Sequence, residues 1–374
     1  MQTECYADLM QSLRGLVKCA LLFSVCFAAF AQQEDPTFKT QSRLVVVPVT
    51  VATKAGQRVW DLKAEDFTLL DNGQSRKITV EPWGTYDQKV SMVVVVETSY
   101  LSEAALIKIS KVASSVSNIT GEDGEIAVIT ADDAVHSVLD FTKEWEPLHT
   151  VFEKLHASTE RAGHVLDAVS AGIVLLEHRP PTNRRIVLVF SENVDRGSHA
   201  RPIDVLTFAE KENVIIYTVN YSAFLTPFTV KGQTSPPMSS NDPRKAKPTT
   251  PVNSTGLIDI APAQVPIVPG FGEMLRSFKF DFGKALAEYT GGRQLNFTTL
   301  DRLDNDLNEL SVEVHSQYQI SFVPPQEKDP IYHEIEVQVN HPELVVRARP
   351  GYWIGVPVEE KKPEPPPTSK PTNP

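Results

Sequence analysis

Apolar positions along the chain change their period twice. Residues 36–88 read as β: a β-branched run from Leu44 to Val51, then Phe67-Thr68-Leu69-Leu70 and Lys77-Ile78-Thr79-Val80 flanking the turn signal Asp71-Asn72-Gly73. One helical turn is expected at Lys63-Ala64-Glu65-Asp66. From Lys89 onward strands and helices alternate, the pattern of a parallel sheet covered on both faces. Strands are predicted at Val90–Val96, Ile126–Ile129, Val135–Phe141, Ile186–Phe190 and Val214–Val219, all but Val135–Phe141 lying in one mainly parallel sheet. Ser102 is expected to cap a helix with Leu106, Ile109, Val112 and Val116 on one face. Further helices follow from Leu148/Val151/Phe152/Leu155, from Val165/Leu166/Val169/Ile173/Leu176, and over Ile203–Lys211.

Periodicity then stops. Residues 226–270 hold nine prolines among Ser, Thr and Asn, which marks an insertion, with a short apolar patch at Leu257-Ile258-Asp259-Ile260. Helical spacing resumes at Phe282, Leu286 and Tyr289, closed by Gly291-Gly292, and continues through Leu300, Leu303, Leu307, Leu310 and Val314. The chain ends in β pattern: Tyr318/Ile320/Phe322, Ile335/Val337/Val339 and Leu344–Ala348. Segments 36–88 and 316–354 each hold too few strands to bury a core, so they are expected to pack together as a β-sandwich-like domain around an inserted α/β domain, 89–315. Residues 355–374 form a Pro-rich tail, predicted to be disordered and solvated.

The N-terminus changes the expected compartment. Arg14 and Lys18 precede an apolar stretch, Cys19 to Phe30, too short to span a bilayer, and Ala29-Phe30-Ala31 offers a cleavage site. Residues 1–31 therefore read as a signal peptide, with translation starting at Met1 or Met10, and the mature protein is expected to be secreted or periplasmic without a transmembrane anchor. All three cysteines, Cys5, Cys19 and Cys26, fall in that segment, which leaves neither disulfides nor thiol chemistry downstream. A formal charge of −11 argues against nucleic acid as a partner.

Candidate chemistry gathers where apolar strands end in polar residues: Glu97-Thr98-Ser99-Tyr100-Leu101 after one strand, and Ser191-Glu192-Asn193-Val194-Asp195 after another. The first phrase is similar to the DxSxS metal loop of von Willebrand factor A domains. The whole chain from about residue 40 to 353 resembles A-domain-related proteins abundant in Acidobacteria. That resemblance is carried by Leu62, Glu65-Asp66-Phe67, Leu69, Asp71-Asn72-Gly73 and Ile78 near the start. It continues with Leu286-Ala287 and Thr290-Gly291-Gly292, then Gln317-Tyr318, Ile320-Ser321-Phe322, Pro324, Val346-Arg347-Ala348-Arg349 and Gly351-Tyr352-Trp353. It implies a doubly wound A-type domain whose metal would be held by three loops.

Of the five ligand positions so implied, only Ser99 is intact. Glu97 replaces an Asp, Leu101 a Ser, Gly163 a Thr and Glu192 an Asp. Leu101 and Gly163 bring no side-chain oxygen, and the longer glutamates disturb a near-octahedral Mg²⁺ shell. No cofactor is therefore expected, although weak Ca²⁺ or Mg²⁺ binding stays open. The expected role is an exported protein-interaction module, not an enzyme, meeting an extracytoplasmic protein through Glu97, Ser99, Tyr100, His164, Glu192 and Asn193. A glycan-binding envelope protein and a hydrolase using Ser99 or Ser191 with His164 are the alternatives; no G-x-S-x-G elbow supports the last.

Overall fold

The β-branched run near the start of the chain forms strand β1 (Val45–Thr53), whose alternation decides what covers it. Val45, Val47, Val49 and Val51 enter one core, while Pro48 and Thr50 are buried on the opposite face. In the computed structural model the described residues are 44–81, 89–221, 276–279, 281–325, 327 and 331–354, all within one unit, Leu44–Pro374. The signal segment 1–31, the insertion 226–270 with Leu257–Ile260, and the tail 355–374 lie outside the described residues. After a 3-10 turn at Ala64–Asp66 come β2 (Phe67–Asp71), β3 (Gln74–Ser75) and β4 (Thr79–Glu81).

The turn signal does make a hairpin: Asn72 and Gly73 both have positive φ (49° and 77°), which suits a two-residue loop. Its second strand is not Lys77–Val80, however. Only Gln74–Ser75 pairs with β2, and β4 crosses to the other sheet to pair with the strand at 318–322.

The α/β half runs β5 (Val90–Glu97), α1 (Glu103–Ile109), α2 (Ala113–Thr120), β6 (Glu125–Ala131), β7 (Val135–Thr142), α3 (Trp145–Glu153) and α4 (Val165–Glu177). It continues through β8 (Arg184–Ser191), α5 (Pro202–Lys211), β9 (Val214–Tyr221), α6 (Phe282–Thr290), β10 (Gln294–Phe297) and α7 (Leu300–Val314). The six-stranded sheet has the order β10-β9-β8-β5-β6-β7. All its pairings are parallel except β6 with β7. Alternation along β5 assigns the two layers. Met92, Val94 and Val96 pack with Leu106, Val116, Phe152 and Leu307 from α1, α2, α3 and α7. Val93 and Val95 pack with Val169, Leu206 and Leu286 from α4, α5 and α6.

Two local expectations change. The helix expected after Ser102 is two pieces, α1 and α2. Val112 N–H turns back to the carbonyl of Ile109 at 3.2 Å, a tight closing turn, before the helix restarts at Ala113. All four predicted apolar positions stay buried through this break. Ser102 caps nothing, because its hydroxyl is used in the site described below.

The remaining strands are β11 (Tyr318–Phe322), β12 (Ile331–Val339), β13 (Leu344–Ala348) and β14 (Gly351–Ile354). They complete two antiparallel four-stranded sheets, β13-β1-β11-β4 and β14-β12-β2-β3. Each sheet thus mixes N- and C-terminal segments, and their shared core contains Val47, Val49, Leu69, Tyr318, Ile320, Phe322 and Tyr352. Central strand β1 tolerates Pro48 because its two ladders overlap only at Val49, so Pro48 lies beyond the reach of β13.

The outer face of the first sheet meets the α/β half through polar groups. Buried Gln317 donates to Tyr217 Oη at 3.0 Å and to Thr50 Oγ1 at 3.3 Å, and accepts from Arg184 at 3.2 Å. Fully buried Glu313 accepts from Arg293 at 2.8 Å, from Arg58 at 3.1 Å and from Arg347. Arg58 and Arg347 belong to the β half, so the carboxylate ties the two halves together.

Candidate functional site

Strands β5 and β8 are parallel neighbours, so their carboxyl ends place Glu97 and the Ser191–Arg196 loop side by side. Glu97 is fully buried. Its Oε1 accepts from Ser99 Oγ at 2.7 Å and from Arg196 Nη1 at 3.3 Å, and its Oε2 accepts from Glu192 N–H at 2.9 Å. The other arm of Arg196, Nη2, donates to Glu192 Oε2 at 2.5 Å. One guanidinium therefore bridges the two carboxylates that the sequence pointed to.

Arg196 is held in place by its own backbone. Its N–H and C=O exchange hydrogen bonds with Gly163 at 3.1 and 3.3 Å, which brings the loop before α4 against the Ser191–Arg196 loop. With Gly163 here, no side chain crowds the Glu97 carboxylate. A Cβ there would lie 2.8 Å from Glu97 Oε1, so the longer acid occupies the space a threonine side chain would need. Glu97, Gly163 and Arg196 thereby form one arrangement: a long acid, a missing side chain beside it, and an internal cation.

Behind Glu97 the buried polar chain continues. Tyr221 Oη donates to Ser102 Oγ at 2.6 Å, and Ser102 Oγ lies 3.2 Å from Ser99 Oγ. Burial raises the Glu97 carboxyl above the ordinary glutamate range, outweighing the Glu192 N–H, Ser99 and Arg196, which each draw it down. Burial, reinforced by the Glu97 charge, likewise holds the Tyr221 phenol well above its usual value, so it stays protonated and can donate.

The residues present do not fit a divalent ion. Both Glu97 oxygens are occupied by N–H and O–H donors, Ser99 directs its proton at Glu97, and Leu101 and Gly163 supply no side-chain oxygen. A near-octahedral shell of oxygens cannot form around a point already served by a guanidinium. Among the described residues no group of three His, Cys, Asp or Glu side chains is placed to hold a metal.

The other predicted residues take different places. Tyr100 is half-exposed, its N–H held by the carbonyl of Glu160 at 2.7 Å. Asn193, at φ 60°, turns away and donates to Asp281 at 2.5 Å, against the start of α6. His164 precedes α4, partly exposed, 3.9 Å from Asp167, with its ring over Gly197. Among the described residues no histidine hydrogen-bonds Ser99 or Ser191, so the elements of a serine nucleophile are not brought together.

Sequence reasoning missed Arg196, Ser102 and Tyr221. Arg196 could have been suspected, since a loop with two glutamates to neutralise needs a cation and Arg196 is its sole basic residue before Gly197. Nothing local marks Ser102 or Tyr221, which reach the site only through the fold.

No protein-family model matches the chain, and no curated protein matches it. Solved structures similar to it include the conserved hypothetical protein BatB from Bacteroides thetaiotaomicron, with 9% identity, 60% of this chain and 98% of that chain covered, and a TM-score of 0.41. The SpRpn10 VWA domain is similar at 13% identity, 36% and 76% coverage, and a TM-score of 0.30. Proximal thread matrix protein 1 from the mussel byssus is similar at 10% identity, 67% and 51% coverage, and a TM-score of 0.39. The architecture is an α/β fold with a six-stranded, mainly parallel sheet and two antiparallel sheets added from the chain ends.

Proposed function

We propose that this protein is an exported interaction module that meets a protein partner at the carboxyl edge of its parallel sheet without a metal ion, and that it is not an enzyme. One observation carries this reading. Tyr100 (48% exposed), Leu101 (38%) and Val194 (46%) stand in solvent beside an ion pair already closed on itself. Exposed apolar side chains on the loops after β5 and β8 can serve an interaction surface, and tyrosine is among the residues that most often anchor one. Glu97 and Ser99, being fully buried, act beneath this face by fixing its loops, as Asn193 does through Asp281, while Glu192 and His164 supply its polar rim. Export is supported by the charged, apolar and small-residue order of residues 1–31.

A photo-crosslinking residue at position 100, compared with one at exposed Val174 on α4, tests this in native envelope extract. A discrete protein adduct is expected from position 100 alone, unchanged by a chelator and lost when Val194→Asp is added. Equal labelling from both positions, or loss on chelation, contradicts it.

A further inference from the structure

A cleft of about 430 Å³ separates the amino edge of the parallel sheet from the outer face of sheet β13-β1-β11-β4. It lies at the opposite edge of the parallel sheet from the Glu97 centre and is within the size range of small-molecule sites, roughly 300–1,000 Å³. The α/β half contributes the starts of β8 and β9, including Asn183, Val214 and Ile215; the β half contributes Pro48, Gln319 and Arg349.

Arg349 is the unusual member. It is only 4% exposed, yet its Nε has no hydrogen-bond partner, and among the described residues no hydrogen bond or ion pair is made by its guanidinium. A guanidinium offers five donors, and buried polar groups in native proteins are almost always satisfied by protein, water or a ligand. The other two arginines of the cleft differ in being hydrogen-bonded through their Nη atoms, although Arg185 Nε is likewise unpartnered. Arg184 binds Val314 O and Gln317, and Arg185 binds Glu212 and the carbonyls of Glu177 and Arg179. Glu210 is a carboxylate whose charge Arg349 feels, but it makes no ion-pair contact with it. Burial raises Glu210 to about 7, so it carries a full charge only above neutral pH.

We propose that the cleft binds a small organic monocarboxylate, whose carboxylate pairs with the Arg349 guanidinium and whose apolar body lies between Pro48 and Ile215. Planar two-point pairing is what an arginine fork favours in a carboxylate. The apolar part of the wall is supplied by Val46, Pro48, Val214 and Ile215. A doubly charged phosphate is disfavoured, because Glu81 also lines the cleft while Arg184 and Arg185 are already engaged by other groups. Such an occupant touches both halves of the molecule and stabilises the folded chain by linkage.

Thermal unfolding of the full chain is measured with sodium hexanoate, sodium benzoate and sodium phosphate against sodium chloride at equal ionic strength. A saturable rise in Tm with hexanoate or benzoate is expected. Arg349→Lys should weaken the apparent affinity at least tenfold, since the fork is lost. Val46→Phe, which fills the cleft and leaves Arg349 in place, should abolish the response, so the test stands even if Arg349 variants fold poorly. The proposal is overturned if neither carboxylate exceeds the chloride control, or if Val46→Phe responds as the natural chain does. A response to phosphate alone overturns the assigned ligand class.

Discussion

Arg196 neutralises two acids at the carboxyl edge and joins three loops. The cost of this arrangement is dependence on one side chain. Arg196→Met leaves Glu97 buried beside Glu192 with no cation, and partly exposed Arg196 should then account for about 2–3 kcal/mol of stability, below the range for fully buried pairs. Urea denaturation measures this directly. Glu97→Gln should recover most of the loss in the Arg196→Met background, because it removes the uncompensated charge. Strictly additive single effects would show that the two side chains are not coupled.

At the scale of elements, what was legible follows from how far each signal travels along the chain. Strands β5, β6, β8 and β9 were readable because burial on both faces leaves runs of apolar residues, as in Val93-Val94-Val95-Val96. Helix α7 was readable from its leucines, and these do pack on the sheet. Strand β10 escaped notice because it is four residues long, with only Leu295 and Phe297 facing inward. The partner of β2 was misjudged because pattern alone does not say which sheet a strand joins. The Glu97 centre was half legible: its acids sit at strand ends, whereas Arg196 lies in an irregular loop and acts only through folding. The shared β core predicts a long-range effect. Removing residues 36–88 deletes β1, the central neighbour of both β11 and β13, and β2, the neighbour of β12. Amide hydrogen exchange over residues 317–348 should then lose most of its protection. Unchanged protection there would contradict a core built from both chain ends.

At the scale of the whole molecule, the halves are joined by polar groups, and one of these should respond to pH. Glu210 on α5 accepts from the Trp353 N–H of β14 at 3.0 Å, while its Oε1 is buried without a partner. Burial lifts its pKa from 4.5 to about 7, although Arg349 and the Trp353 N–H pull it down. The folded state therefore holds this proton more tightly than the unfolded chain. Its contribution is fully present below about pH 4.5 and is lost as pH rises through 7, an effect of about 1–3 kcal/mol for a residue that keeps some contact with solvent. Stability curves across that window should differ between the natural chain and Glu210→Gln, the variant being flatter. Parallel curves would show that Glu210 titrates normally.

Arg196 engages both Glu97 and Glu192 and leaves them no site for a divalent ion, and calorimetric titration of the folded protein with Mg²⁺, Mn²⁺ and Ca²⁺ tests this most directly. No saturable heat is expected up to millimolar ion, with Arg196 occupying both carboxylates. Micromolar binding of Mg²⁺ by the natural chain, abolished by Glu97→Ala, would contradict it.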